Sequence, residues 1–193
     1  PLFNVTVLGG NGNDGLVLGN RNNTGITIDG GSGDDILGMH LSGQGNQMLG
    51  GDGDDRLGLT FNGDTFSNIT ISGGTGHDVL SIHSVNSGAT SVDLGDLNIS
   101  GIERFEFVDP QAPAADQTLL LSLADAIALE AAGNDLVFTL STAFMDTQGD
   151  AVTRGADTVI DGFTFASFSF DANPSVVFYV YGYSIYGVNG ITL

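Results

Sequence analysis

Residues 30–39 read GGSGDDILGM, and three other stretches repeat them in outline: GGNGNDGLVL at 9–18, GGDGDDRLGL at 50–59 and GGTGHDVLSI at 73–82. The glycine pairs stand 21, 20 and 23 residues apart, a period that signals a solenoid. The sixth residue is always aspartate (Asp14, Asp35, Asp55, Asp78), the eighth always leucine (Leu16, Leu37, Leu57, Leu80), and the tenth is apolar (Leu18, Met39, Leu59, Ile82). Apolar positions two apart describe a short strand with one face inward. A second alternating set precedes each pair: Val5 and Val7, Ile26 and Ile28, Ile69 and Ile71, with Asn46 and Met48 as a weaker third member. Each repeat therefore predicts a strand, a glycine–aspartate turn, a second strand, and a less regular turn back at 19–25, 41–46 or 61–68.

The glycines concentrate accordingly, 23 of the 30 lying before residue 102. A partial fifth coil runs through Val92, Leu94, Leu97 and Ile99, but the glycine pair is lost at Gly101-Ile102, so the array is expected to end near Phe107. Residues 110–116 (PQAPAAD) form a boundary loop, dividing the chain into a β-solenoid over 1–109 and a β-rich capping or assembly region over 110–193. Residues 122–132 predict one helix, with a Ser start, an early Asp and Gly133 behind it. Strands are expected at 136–140, 163–170 and 176–186, the last holding all four tyrosines. The fold class is all-β, a parallel β-roll with a mostly β cap and one short helix.

Composition narrows the function. The 193 residues carry 23 Asp and Glu against 4 Arg and no Lys, for a formal net charge of −19. Nucleic acid and anionic membranes need Lys and Arg to replace counterions, so neither is an expected partner. No apolar run reaches the roughly 20 residues of a spanning helix, so no membrane insertion is expected. Without cysteine there is no thiolate zinc site and no thiol nucleophile. His40, His77 and His83 lack ligand spacing, no G-x-S-x-G occurs, and no set of acid, base and nucleophile emerges, so the chain is not read as an enzyme. Of the 23 acids 20 are Asp, and Asp with Gly and Asn is the chemistry of tight turns and of oxygen-ligand cation sites.

The fourfold G-G-x-G-x-D-x-U-x pattern resembles the nonapeptide repeats of the RTX (repeats-in-toxin) family, the calcium-binding β-roll of secreted bacterial proteins, over about the first half of the chain. Coils stacked about 4.8 Å apart would set the four aspartates in one column, where neighbouring carboxylates repel by about 1 kcal/mol in water and by several at lower dielectric. A divalent cation between turns reverses that sign. The resemblance implies calcium held by Asp14, Asp35, Asp55 and Asp78 and by the carbonyls of Gly10, Gly31, Gly51 and Gly74 and of Gly12, Gly33, Gly53 and Gly76, with Asp52 adding a carboxylate. Magnesium, which needs near-ideal octahedral geometry, fits a carbonyl-rich turn poorly. Four turns leave three gaps for ions, on one edge only, because the opposite turns lack the motif. Asp64 is the residue most able to upset that expectation, and His77 replaces the Asn or Asp of the other fifth positions.

The resemblance further implies export by type I secretion and folding switched on by extracellular calcium. The expected function is a calcium-binding structural protein outside the cell or on its surface, self-associating as a surface-layer, filament or matrix subunit or joining other cell-surface components. The open first coil and the Tyr-rich last strand would be its contacts. The alternative is an accessory module of a larger secreted enzyme or adhesin, binding polysaccharide through its aromatic strand.

Overall fold

The structure, a computed structural model, describes residues 2–19, 22–40, 42–61, 66–84, 90–108, 117–140 and 144–181. The two alternating sets form the two faces of a parallel β-solenoid of about five turns. Strands Thr6–Asn11, Thr27–Ser32, Gln47–Asp52, Ile69–Thr75 and Leu97–Ser100 make a five-stranded sheet. Facing it, Gly15–Leu18, Ile36–His40, Arg56–Phe61, Val79–Ser84 and Arg104–Val108 begin a ten-stranded one. That sheet continues in parallel through Val137–Leu140 and Asn173–Tyr181, then turns antiparallel at Phe163–Phe170. The repeats stack in register, Gly10 on Gly31, Gly51 and Gly74, and Leu16 on Leu37, Leu57 and Leu80.

The inward columns explain why the stack holds. Ile26, Ile28, Leu37, Leu57, Ile69, Ile71 and Leu80 are fully buried, each contributing about 1.5–3 kcal/mol relative to exposure. The leucine column passes into rings, Leu80 pairing with Phe105 and Phe105 with Phe138, the two rings stacked 5.1 Å apart. Phe168 stacks on Phe178 at 5.4 Å, so the last strands close the core with aromatic volume.

The helix forms at Leu123–Ala131 for the reason its sequence suggests: Ser122 caps it, and Asp125 reciprocates with a bond back to the Ser122 amide. It buries Ala126 and Leu129. Among the described residues the fifth coil has Thr90–Asp93, a 3-10 turn at Leu94–Asp96, Leu97–Ser100 in the five-stranded sheet and Arg104–Val108 in the facing one. Asn46 takes the inward position that the alternation gives it, level with Ile26 and Ile69, but fills it with an amide rather than an apolar side chain. Like Ile26 it stands just before its strand, fully buried, its Oδ1 accepting the Ile26 amide at 3.0 Å while its Nδ2 donates to the Asn23 and Ser42 carbonyls. A buried amide is tolerated there because both ends of it are hydrogen-bonded to backbone groups. The final strand starts earlier than expected, at Asn173, and is described to Tyr181. Asp64, the 110–116 loop, Tyr183 and Tyr186 lie outside the described residues.

Candidate metal centre

Glycine is demanded by the turn. Gly31 and Gly51 have φ of 103° and 118°, in the left-handed region. A Cβ on Gly51 would also lie 2.0 Å from the Gly31 carbonyl oxygen, so the second glycine of each coil stacks directly against the one before. The fourth-position glycines repeat the arrangement, a Cβ on Gly53 meeting the Gly33 oxygen at 2.4 Å and one on Gly76 the Gly53 oxygen at 2.2 Å.

The sixth-position aspartates form the expected column, and Asp35, Asp55 and Asp78 are fully buried in it. One oxygen of each is used. Asp35 Oδ1 accepts the Asp14 amide at 2.7 Å, Asp55 Oδ1 the Asp35 amide at 2.8 Å, and Asp78 Oδ1 the Asp55 amide at 2.8 Å. The other oxygen is not: Oδ2 of Asp14, Asp35, Asp55 and Asp78 is buried without any hydrogen-bond partner. These oxygens sit beneath the first glycine of each pair, where a Cβ on Gly30 would come within 2.2 Å of Asp35 Oδ2 and one on Gly50 within 2.3 Å of Asp55 Oδ2. The first glycine is therefore required by the carboxylate and by the carbonyl of the next coil, which a Cβ on Gly50 would meet at Gly73 O within 2.4 Å, rather than by its own φ.

A second ladder runs beside the first in the opposite sense. Here the side chain of one coil accepts from the next: Asn13 Oδ1 from the Asp34 amide, Asp34 Oδ1 from Asp54, and Asp54 Oδ1 from His77. His77, contributing no side-chain acceptor to this ladder, is its last member among the described residues. Asp52 is exposed and accepts a bond from the Thr75 hydroxyl at 3.0 Å, so it stands apart from the buried oxygens.

Burial pushes the Asp55 carboxyl up to about 6, against the hydrogen bond from the Asp35 amide and with the charges of Asp78, Asp35 and Asp34 adding to the rise. Burial likewise raises Asp78, opposed by the Asp55 amide and reinforced by Glu103 and Asp54. A column of desolvated carboxylates, each with an oxygen lacking a donor, has a deficit that a proton or a cation would fill. The donor set is hard oxygen throughout, carboxylate plus glycine carbonyl, which suits calcium. Among the described residues no three carboxylate or imidazole side chains converge on one point, so an ion on this edge would draw most of its ligands from carbonyls and water. His40 and His83 lie in one row of the ten-stranded sheet with Thr60 between them.

Sequence reading missed the end of the column. Glu103 Oε2 accepts the Asp78 amide at 2.7 Å and so takes the sixth position of the fifth coil. Two residues separate Ser100 from Glu103, where five separate Ser72 from Asp78, and a search keyed on glycine pairs passes over so short a turn. The signal was present two residues later: setting Phe105 and Phe107 against Leu80 and Ile82 brings Glu103 level with Asp78. Comparison with known protein families, with curated proteins and with solved structures finds no match for this chain.

Proposed function

We propose that the aspartate column binds calcium and that the chain is a secreted structural protein of RTX type, folded by the calcium it meets outside the cell. The observation that carries this reading is the row of four buried Oδ2 atoms without a donor, one per turn. A buried, unpaired carboxylate costs several kcal/mol, and a cation that binds only the folded chain turns that cost into stabilisation that grows with its concentration. In low calcium the column opposes folding through burial and mutual repulsion; in high calcium it favours it. The net charge of −19 adds a general repulsion that bound cations reduce.

On this reading the chain is not an enzyme and acts by assembly, as a surface-layer, filament or matrix subunit. The second reading, a polysaccharide-binding module of a larger secreted protein, is favoured by one feature: Phe163 and Tyr181 are exposed side by side, rings 5.5 Å apart, as a surface on which a sugar ring could stack. Calcium dependence is tested by far-ultraviolet circular dichroism with a chelator and then with calcium restored. Loss and recovery of the β signal is expected, and a spectrum indifferent to calcium removal overturns the proposal. Light scattering against glycan binding then separates the two readings.

A further inference from the structure

The outer face of the ten-stranded sheet carries a trough of about 660 Å³ at the strand Asn173–Tyr181, within the roughly 300–1,000 Å³ of ligand sites. That strand alternates: Val176, Phe178 and Val180 are buried in the core, so Ser175, Val177, Tyr179 and Tyr181 share the opposite face. Val177 and Tyr179 line the trough together with Val137, the register partner of Tyr179. Glu130 and Asp135 reach it from the helix end and the loop that follows, Thr158 and Ile160 from the strand Thr158–Ile160. A second cavity of about 340 Å³ adjoins it, sharing Asp135, Val137 and Ile160. In the other direction the face continues to Tyr181, whose ring meets the exposed ring of Phe163 at 5.5 Å. From Ser175 to Tyr181 the strand spans about 20 Å. The charge is one-sided: Glu130 and Asp135 are exposed, and no ion pair to either forms among the described residues. Arg104, the one guanidinium lining either cavity among those residues, is paired with Asp161.

We propose that this trough holds a polysaccharide bearing free amino groups, its ring faces lying on Tyr179 and on the Tyr181 and Phe163 pair and its ammonium groups meeting Glu130 and Asp135. An apolar floor with an aromatic ring suits the C–H face of a sugar, and the tyrosine hydroxyl adds a polar handle. Carboxylates with no cation beside them attract positive charge and repel uronate or sulfated chains. The occupant is a chain rather than a single sugar because the aromatic face runs on past the trough to Tyr181. The proposal rests on the polysaccharide reading of the aromatic surface, names the class of glycan that surface takes, and is independent of the calcium reading of the turns.

The test titrates the full chain, in calcium, by isothermal calorimetry with a glucosamine hexamer, its fully N-acetylated counterpart, a hyaluronan hexasaccharide and hexalysine. The glucosamine hexamer is expected to bind, the acetylated one about tenfold more weakly, and hyaluronan not at all. Glu130→Gln and Asp135→Asn change exposed side chains, and each should weaken the glucosamine hexamer by about two- to fivefold, the worth of one exposed charge pair. Phe163→Ala should weaken both glucosamine hexamers alike. Bound hexamer should slow amide exchange over 130–137 and 173–181 and leave the glycine turns unchanged. Equal affinity for the two hexamers, or charge variants that bind as the parent does, overturns the proposal and spares the polysaccharide reading. Failure of every glycan to bind overturns both. Hexalysine that binds as tightly as the glucosamine hexamer, with the same loss in both charge variants, shows a site for basic peptide and overturns the proposal as well.

Discussion

Asp35 and Asp55 are joined through half a carboxylate: the Asp35 amide donates to Asp55 Oδ1 at 2.8 Å, while Asp55 Oδ2 is buried without a donor. The same side chain is thus a structural acceptor and an uncompensated charge. The two roles can be separated by substitution. Asp55→Asn keeps the acceptor and removes the charge, so in chelator it should unfold at higher denaturant than the parent, and in calcium at lower. Asp55→Ala also orphans the Asp35 amide, a loss of about 1–3 kcal/mol that should appear in both conditions. Urea titrations of the three chains with and without calcium check this, and an Asn variant destabilised equally in both would show that the charge has no cation to meet.

Acid should stabilise the metal-free chain. Burial disfavours the charged form of Asp55 and pushes its carboxyl up to about 6 in the folded chain, from 3.8 for the free side chain. Below the lower value both states hold the proton and the group's contribution is complete; as pH rises through about 6 the folded chain must ionise a buried acid and that contribution is lost. Asp78 is shifted in the same direction. In chelator the urea midpoint should therefore fall from about pH 5 to about pH 7.5, with a shallower fall in Asp55→Asn. A midpoint that rises over this window, or the same slope in the variant, would refute the assignment.

The architecture was legible where chemistry repeats. Leucine as the eighth residue of each repeat and glycine as the second mark the period, the inward face and the register, because the steric demands of a stacked turn recur in each coil. The aspartate column was legible for the same reason. What escaped was chemistry outside the glycine-pair pattern: Glu103 ends the column from a turn three residues shorter, and Asn46 holds an inward position with an amide that closes a coil, as Asn134 does further along. The pairing of Val137–Leu140 with Arg104–Val108 also left no periodic trace, since phenylalanine replaces leucine in the inward column there.

Two glycines at equivalent positions should differ sharply in their tolerance of alanine. Gly10 and Gly51 have φ of 105° and 118°, so each substitution costs about 1–3 kcal/mol in backbone strain. A Cβ on Gly10 meets nothing within 4 Å, whereas one on Gly51 would lie 2.0 Å from the Gly31 oxygen. Gly10→Ala should leave a folded chain with a modestly lowered melting temperature. Gly51→Ala should push the third turn off the second and abolish cooperative unfolding. Equal melting temperatures in the two variants would mean that the turns are not stacked as described.

Asn134 ties the helix to the solenoid, and its loss should separate them. The residue is buried; its Oδ1 accepts the Ile102 amide at 3.0 Å, and its Nδ2 donates to the Ile99 carbonyl at 3.0 Å and the Leu129 carbonyl at 2.8 Å. Asn46 serves Ile26 in the same way two coils into the stack, so one device closes coils at both places. Asn134→Ala would take the side-chain partner from the Ile102 amide, a buried group whose loss costs about 1–3 kcal/mol, while the Leu129 carbonyl keeps the Ala132 and Asn134 amides. Asn134→Asp, which keeps the acceptor but not the donors, should recover only the Ile102 bond and add a buried charge. Hydrogen exchange locates the damage: Leu97–Ser100 and Leu123–Ala131 should lose protection together in Asn134→Ala, while Thr27–Ser32 and Gln47–Asp52 keep theirs. Uniform loss across all coils would show instead that the solenoid and the helix unfold as one unit.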